Sequence, residues 1–154
     1  MSLRLSLAAP DDAPLLGRII GEAFDPRFGE AWTTAQLAGA LGIADTWAQL
    51  GRNDGEAFGF SLTRRILDEA ELMLVAVRPA ARGKGYGRLL VEGAMETARQ
   101  RGARTMFLEV RDGNETALRL YESLDFTTAG RRQNYYTGAA GERFDAITMR
   151  RDLF

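Results

Sequence analysis

The chain contains no cysteine and no histidine, and nineteen of its twenty basic residues are arginine, so that Lys84 is its single lysine. Without cysteine, the protein cannot form disulfide bonds, thiolate nucleophiles or thiolate-bound metal sites. Without histidine, the Ser-His-Asp and Cys-His catalytic arrangements and histidine-bound metals are excluded as well. Any proton transfer must therefore use Asp, Glu, Tyr, Lys or a chain terminus, and no metal site is expected.

The chain also lacks a strong charge and a long apolar run. Its 154 residues carry a net charge of −1, so we expect no general attraction to nucleic acid or to a membrane surface. No apolar run approaches the roughly 20 residues that span a bilayer. The N-terminal residues 1–14 lack the long apolar segment of a secretory signal. These features predict a cytoplasmic protein that folds as one domain over residues 1–154.

Hydrophobic periodicity changes repeatedly between the strand and the helix type, which predicts a mixed α+β domain. The first helix has Asp11 or Asp12 as its candidate N-cap, and Thr33 begins a capping box for the second. Asn114 is the candidate cap of the last helix, which follows a strand at 105–110. The predicted order of elements is β-α-α-β-β-β-α-β-α-β-β.

A glycine-rich loop, Arg82–Arg88, follows an apolar strand-like run and opens a helix. The first amides of a helix lack internal partners, and glycine lets such amides approach an anion closely, so the loop is a candidate pyrophosphate site. The dinucleotide pattern G-x-G-x-x-G fails because Arg88 holds the third glycine position. The P-loop pattern fails because Gly85, rather than Ser or Thr, follows the Gly-Lys pair. A merely flexible turn is the alternative.

Residues 56–150 resemble the RimI-type N-acetyltransferases of the GNAT superfamily. The resemblance rests on the glycine loop, which fits R/Q-x-x-G-x-G/A, and on LEVR (108–111), Asn114, LYE (120–122) and RRQNYY (131–136) in the same order and spacing. It implies a GNAT fold, with a central, mostly antiparallel sheet and flanking helices. It further implies transfer of acetyl from acetyl-CoA to a protein N-terminus, typically that of a ribosomal protein. We also expect a monomer or weak dimer.

The same resemblance assigns roles to particular residues. Acetyl-CoA would be bound by the end of a central strand, the glycine loop and one asparagine: Val75, Ala76, Val77, Arg82, Gly83, Lys84, Gly85, Tyr86, Gly87, Arg88 and Asn114. Glu109 would be the general base and Tyr121 the general acid. Tyr135 and Tyr136 would form part of the substrate-binding wall.

The physical chemistry of Glu109 leaves more than one interpretation open. This residue interrupts an apolar strand, where a carboxylate is costly unless it is hydrogen-bonded, paired or protonated. Such a carboxylate could be a catalytic base. It could instead lie at an exposed edge, or form an ion pair with Arg111 or Arg131.

The tyrosines also have ordinary structural interpretations. Tyr121 lies on the apolar stripe of its helix, where most aromatic residues only fill the core. Tyr135 and Tyr136 are consecutive in a strand, so we expect only one of them to face a given cleft.

Three features depart from the family pattern. Asp125 stands where the family usually has glycine, Phe144 stands where it often has glutamate, and the loop at 24–34 is longer. The last two bear on the acceptor rather than on acetyl transfer itself. Two rival functions follow: acetylation of a small amine or a lysine side chain, and a non-catalytic module that binds acyl-CoA.

Overall fold

The computed structural model describes residues 2–154. Within that range the chain forms seven strands, namely β1 Leu3–Leu7, β2 Thr46–Asn53, β3 Glu56–Ile66, β4 Glu69–Val77, β5 Thr105–Arg111, β6 Thr127–Thr137 and β7 Arg143–Asp152. The same range contains four α-helices, namely α1 Ala13–Ala23, α2 Thr34–Leu41, α3 Tyr86–Gln100 and α4 Glu115–Ser123. This order confirms the order predicted from the sequence.

All seven strands belong to one sheet, in the order β1-β2-β3-β4-β5-β7-β6. Neighbouring strands are antiparallel except β4 and β5, which are parallel. The parallel pairing runs only from Glu69↔Thr105 to Leu72↔Leu108. Both strands continue beyond it, to Val77 and Arg111. The sheet is therefore open between the C-terminal halves of β4 and β5.

A β-bulge at Met73, at the start of this opening, reverses which face of the sheet the following side chains of β4 point to. In the pairing with β3, Leu62 lies opposite Leu74 and Thr63 lies opposite Leu72, which leaves Met73 as the extra residue. Leu72 packs into the core that contains α3 and α4, whereas Leu74 packs into the core that contains α1 and α2. The bulge thus lets β4 contribute apolar side chains to both faces of the sheet in turn.

The ends of the helices follow the sequence closely, with one exception. Thr33 and Gln36 form the predicted capping box, with hydrogen bonds of 3.1 and 2.8 Å between side chain and backbone. Asp125 has a φ of 66°, the left-handed conformation that glycine adopts in the family pattern. Asp12 occupies the predicted N-cap position of α1, but its side chain makes no capping hydrogen bond to that helix. A 3₁₀ turn precedes the helix, and the Asp12 side chain instead accepts a hydrogen bond from the backbone N–H of Ala9 at 2.8 Å.

In residues 2–154, no helix combines the length and the apolar character needed to cross a bilayer.

Candidate active site

The gap between β4 and β5 opens into a cleft of about 560 Å³. Five parts of the chain line it: the end of β4, the glycine loop, the end of β5, α4 with its N-cap, and the loop that follows α1. The predicted cofactor residues in its wall are Val75, Ala76, Val77, Arg82, Gly83, Gly85, Tyr86, Gly87, Arg88 and Asn114. Lys84 is exposed and is the one predicted cofactor residue outside this wall.

The glycine loop has a conformation that favours glycine at two positions. Gly83 has a φ of 78° and Gly85 a φ of 79°, and Gly85 is the N-cap residue of α3. A β-carbon built on either glycine meets no atom within 4 Å. Both glycines lie in the wall of the cleft at the start of α3, where the free first amides of a helix can bind an anion.

Tyr86 and Arg82 of the loop have structural partners, so the loop would offer mainly its backbone to a ligand. Tyr86 stacks on Phe58 with ring centroids 3.9 Å apart, and its hydroxyl accepts a hydrogen bond from Asn53 at 2.8 Å. Arg82 donates to the carbonyl oxygen of Ala23, the last residue of α1, at 2.7 Å. The loop is thus fixed between a core aromatic pair and α1.

Asn114 and the edge of β4 form the two walls of the gap. The Asn114 Oδ1 atom accepts a hydrogen bond from the Ala117 amide at 3.3 Å and caps α4, as predicted. Opposite, Val75–Val77 pairs with β3 on one side only, because β5 has separated from β4. A strand with a free edge can take up an extended ligand as an additional strand.

Glu109 lies in the open half of β5 with only 13% of its side chain exposed. Its Oε1 atom pairs with the Nε atom of Arg132 at 2.9 Å, and its Oε2 atom accepts a hydrogen bond from the Thr148 hydroxyl at 2.7 Å. The carboxylate is therefore paired, but not with Arg111 or Arg131, the two partners suggested by the sequence. Arg111 pairs with Glu30 and Arg131 with two aspartates.

Tyr121 is both a core residue and a wall of the cleft. Its ring is 9% exposed and packs edge-to-face on Phe126 with centroids 5.8 Å apart. It also lines the cleft together with Asn114, and it lines a smaller cavity together with Glu109. Burial, and secondarily the negative charge of Glu30, raises the pKa of Tyr121 well above its ordinary value. The phenol is therefore protonated at neutral pH.

Tyr135 and Tyr136 both line the smaller cavity, so the expectation that only one of them faces a given cleft is wrong. The reason is an irregularity in β6. Its register against β7 shifts between Arg132 and Tyr136, and Asn134 has a φ of 53°. The shift breaks the strict alternation of side chains, and the two tyrosine rings meet edge-to-face at 4.9 Å.

The long loop after α1 packs against the end of β5 and against the β6–β7 turn. Glu30 pairs with Arg111 at 3.0 Å, and the two side chains are only 14% and 13% exposed. The Arg111 guanidinium lies 3.7 Å from the centre of the Phe28 ring, which in turn packs edge-to-face on Phe144. A β-carbon on Gly138 would collide with the backbone of this loop, so the β6–β7 turn and the loop pack directly on each other.

Comparisons with known proteins agree with this geometry. The acetyltransferase (GNAT) family model matches residues 16–126, well over half of the chain. The chain belongs to the GNAT acetyltransferase family. GNAT enzymes take their acetyl group from acetyl-CoA, and this chain is accordingly an N-acetyltransferase, as its sequence predicts. The open glycine loop and the free edge of β4 fit that donor.

Two relatives indicate where in the GNAT family the chain lies. The ribosomal protein bS18-alanine N-acetyltransferase of Escherichia coli strain K12 is 41% identical over 118 residues, which are 77% of this chain and 78% of the relative. The crystal structure of the Escherichia coli ribosomal-protein-S18-alanine N-acetyltransferase superposes with a TM-score of 0.87 at 32% identity, covering 99% of this chain and 94% of the other.

A more distant GNAT structure shows the same fold. Arabidopsis thaliana NAA60 in complex with acetyl-CoA superposes with a TM-score of 0.84, covering 98% of each chain, at 17% identity.

Three residues of this candidate site, Glu30, Thr148 and Arg132, are not predicted from the sequence. Glu30 lies in a loop without periodicity, so no pattern indicated that it would pair with Arg111. Thr148 contacts Glu109 because the two are register partners in β7 and β5, which only the strand pairing reveals. Arg132 meets Glu109 through the pairing of β6 with β7, which sequence periodicity does not reveal.

Proposed function

We propose that residues 1–154 form a single GNAT domain that acetylates the N-terminal α-amine of a protein, and that a ribosomal protein beginning with alanine is the first acceptor to test. The paired Glu109 carboxylate and the protonated Tyr121 phenol, which line one cavity at the open end of β5, carry this proposal. The relatives named for acetylation of an N-terminal alanine support the choice of acceptor. The predictions of a cytoplasmic location and of a monomer or weak dimer belong to the same proposal.

In this proposal the donor is held mainly by the backbone. The amides of Arg82–Arg88 and the positive end of α3 would bind the pyrophosphate of acetyl-CoA. The free edge of Val75–Val77 would pair with the extended pantetheine arm, and Asn114 would contact the same arm. Backbone amides near Val77 would polarise the thioester carbonyl group.

The acceptor amine would attack the thioester directly. Glu109 would accept a proton from the α-ammonium group, which frees the nitrogen lone pair. The C–N bond then forms, the nitrogen releases its second proton to solvent, the C–S bond breaks, and the electron pair of that bond goes to sulfur, so that the products are a neutral amide and the CoA thiolate. Tyr121 would donate its proton to the departing thiolate and regain one from solvent.

The raised pKa of Tyr121 is compatible with this step. Ordinary values near 10 for a phenol and near 8.5 for a thiol make the transfer uphill in water. Burial disfavours a thiolate in the same way as a phenolate, so the two groups shift in the same direction inside the cleft. The phenol is also kept fully protonated, which is the form that can donate.

The acid–base chemistry favours an N-terminal acceptor over a lysine side chain. An α-amine has a pKa near 8 and a lysine near 10.4, so at neutral pH the α-amine is neutral roughly 250 times more often. A single carboxylate base is therefore better matched to a protein N-terminus.

The test uses acetyl-CoA and a peptide that begins with alanine and contains one internal lysine, with the products located by mass spectrometry. We expect acetyl on the α-amine, and no product from the same peptide with a blocked N-terminus. Acetylation of the lysine alone would replace this function by side-chain acetylation. Binding of acetyl-CoA without any turnover would instead indicate a non-catalytic module.

A further inference from the structure

The cation that pairs with Glu109 is held loosely. The Arg132 side chain is 61% exposed, whereas the Glu109 side chain is 13% exposed. An exposed arginine can leave an ion pair at small cost, because water solvates the released guanidinium. The Tyr135 ring, 5.6 Å from the Arg132 guanidinium, offers the cation a second contact.

The neighbouring arginines are fixed by other partners. Arg111 is clamped between Glu30 and Phe28. Arg131 pairs with Asp112 at 2.7 Å and with Asp145 at 2.9 Å. Arg132 is thus the displaceable cation among the three.

The backbone beside Arg132 is anchored, so its side chain can move alone. Asp145 accepts a hydrogen bond from the Asn134 amide at 2.9 Å in addition to pairing with Arg131. These contacts hold the irregular part of β6 on both sides of Arg132. Rotation of one exposed side chain is enough to release the Oε1 atom of Glu109.

We propose that Arg132 is a resident counter-ion of Glu109 that the α-ammonium group of the acceptor displaces on binding. This inference rests on the proposed function, because it needs a cationic amine that must reach Glu109. In the free enzyme Arg132 occupies the carboxylate oxygen that the ammonium requires. Binding therefore exchanges one cation for another, and Arg132 acts as a positioning residue that sets acceptor affinity without touching the thioester.

The exchange predicts a particular salt dependence. One ion pair is lost and one is gained when the acceptor binds to the wild-type protein, so ionic strength has little net effect on the peptide KM. After Arg132→Gln, an ion pair is only gained, and salt screening then weakens acceptor binding.

The experiment measures steady-state kinetics of the full chain at saturating acetyl-CoA. The acceptor is an alanine-initiated peptide with an amidated C-terminus and no other charge, assayed at 20 and 300 mM salt. We compare Arg132→Gln, Arg132→Lys and a control, Arg4→Gln, which lies in the edge strand β1 at the far side of the sheet.

We expect Arg132→Gln to lower the low-salt peptide KM roughly two- to five-fold, which corresponds to the free energy of an ion pair with one exposed partner. Its kcat should change little, and its KM should rise with salt. Arg132→Lys keeps the competing charge and stays near the wild-type KM, as does the Arg4 control. A KM that rises in Arg132→Gln, or a salt dependence equal to that of the wild type, would overturn the inference. Failure of the wild-type protein to acetylate the peptide would instead overturn the proposed function.

Discussion

Replacement of Gly85 by alanine separates the two reasons for having glycine in the loop. The first reason is conformational, because Gly85 has a φ of 79° and a non-glycine residue there costs about 1 to 2 kcal/mol. For a domain of this size that cost lowers Tm by roughly 2 to 8 °C. The second reason is the ligand, since Gly85 is the N-cap of α3 in the wall of the cleft and no protein atom within 4 Å fills the space of the added methyl group.

Gly55 provides a matched control for the first reason alone. It has a φ of 84°, its β-carbon would also meet no atom within 4 Å, and it lies in the turn between β2 and β3. We expect Gly55→Ala and Gly85→Ala to lower Tm by similar amounts. Only Gly85→Ala should weaken acetyl-CoA binding, by at least about ten-fold, or about 1.4 kcal/mol, and Gly85→Val should nearly abolish it.

Isothermal titration calorimetry with acetyl-CoA measures this difference directly. Lys84→Gln belongs in the same series, because Lys84 lies outside the wall of the cleft and its charge alone should change the Kd only modestly. Equal losses from Gly85→Ala and Lys84→Gln would refute the view that the backbone, rather than the lysine, holds the anion. Unchanged affinity in Gly85→Ala would refute the placement of the pyrophosphate at α3.

Three further predictions concern acid–base chemistry and the loop after α1. Glu109→Gln should lower kcat/KM by about 10²-fold or more and leave the acetyl-CoA Kd unchanged; a loss below two-fold would exclude Glu109 as the base. Tyr121→Phe should lower kcat about ten-fold or more. Because burial raises the pKa of Tyr121, its phenol stays protonated from pH 6 to 9. The pH dependence of kcat should therefore have the same shape in Tyr121→Phe as in the wild type. Glu30→Gln strands the largely buried Arg111 guanidinium and should destabilise the fold by about 1 to 3 kcal/mol in urea unfolding, whereas Asp45→Asn, which breaks a more exposed pair, should cost less than about 1 kcal/mol.

The parts of the fold that could be predicted from the sequence depend on local rules. The capping box at Thr33 is set by hydrogen bonds within one turn of helix, and the left-handed Asp125 by the geometry of a helix end. The glycine loop is equally local. These features need no knowledge of which strand pairs with which.

The remaining features depend on pairing over long distances in the chain. Glu109 and Thr148 are far apart in sequence and meet only through the register of β5 and β7. Tyr135 and Tyr136 share a cavity because of a register shift in β6, which a period of two cannot reveal. Arg132 reaches Glu109 through the same strand order, because Gly130 pairs with Thr148 and Arg132 follows two residues later on the same face of β6.

The bulge at Met73 connects the packing of the core to the existence of the site. Without it, Leu72 and Leu74 would point to the same face of the sheet, and one of the two apolar cores would lose its contribution from β4. With the bulge, the side chains of β4 change faces after Leu72, and the hydrogen-bonded ladder with β5 ends at Leu72↔Leu108. A ladder that continued to the ends of both strands would pair the edge of β4 with β5 and leave no gap between them. The bulge at Met73 thus supplies apolar side chains to both cores and also leaves backbone groups unpaired along the end of β4. The pantetheine arm of bound acetyl-CoA would form hydrogen bonds with these groups.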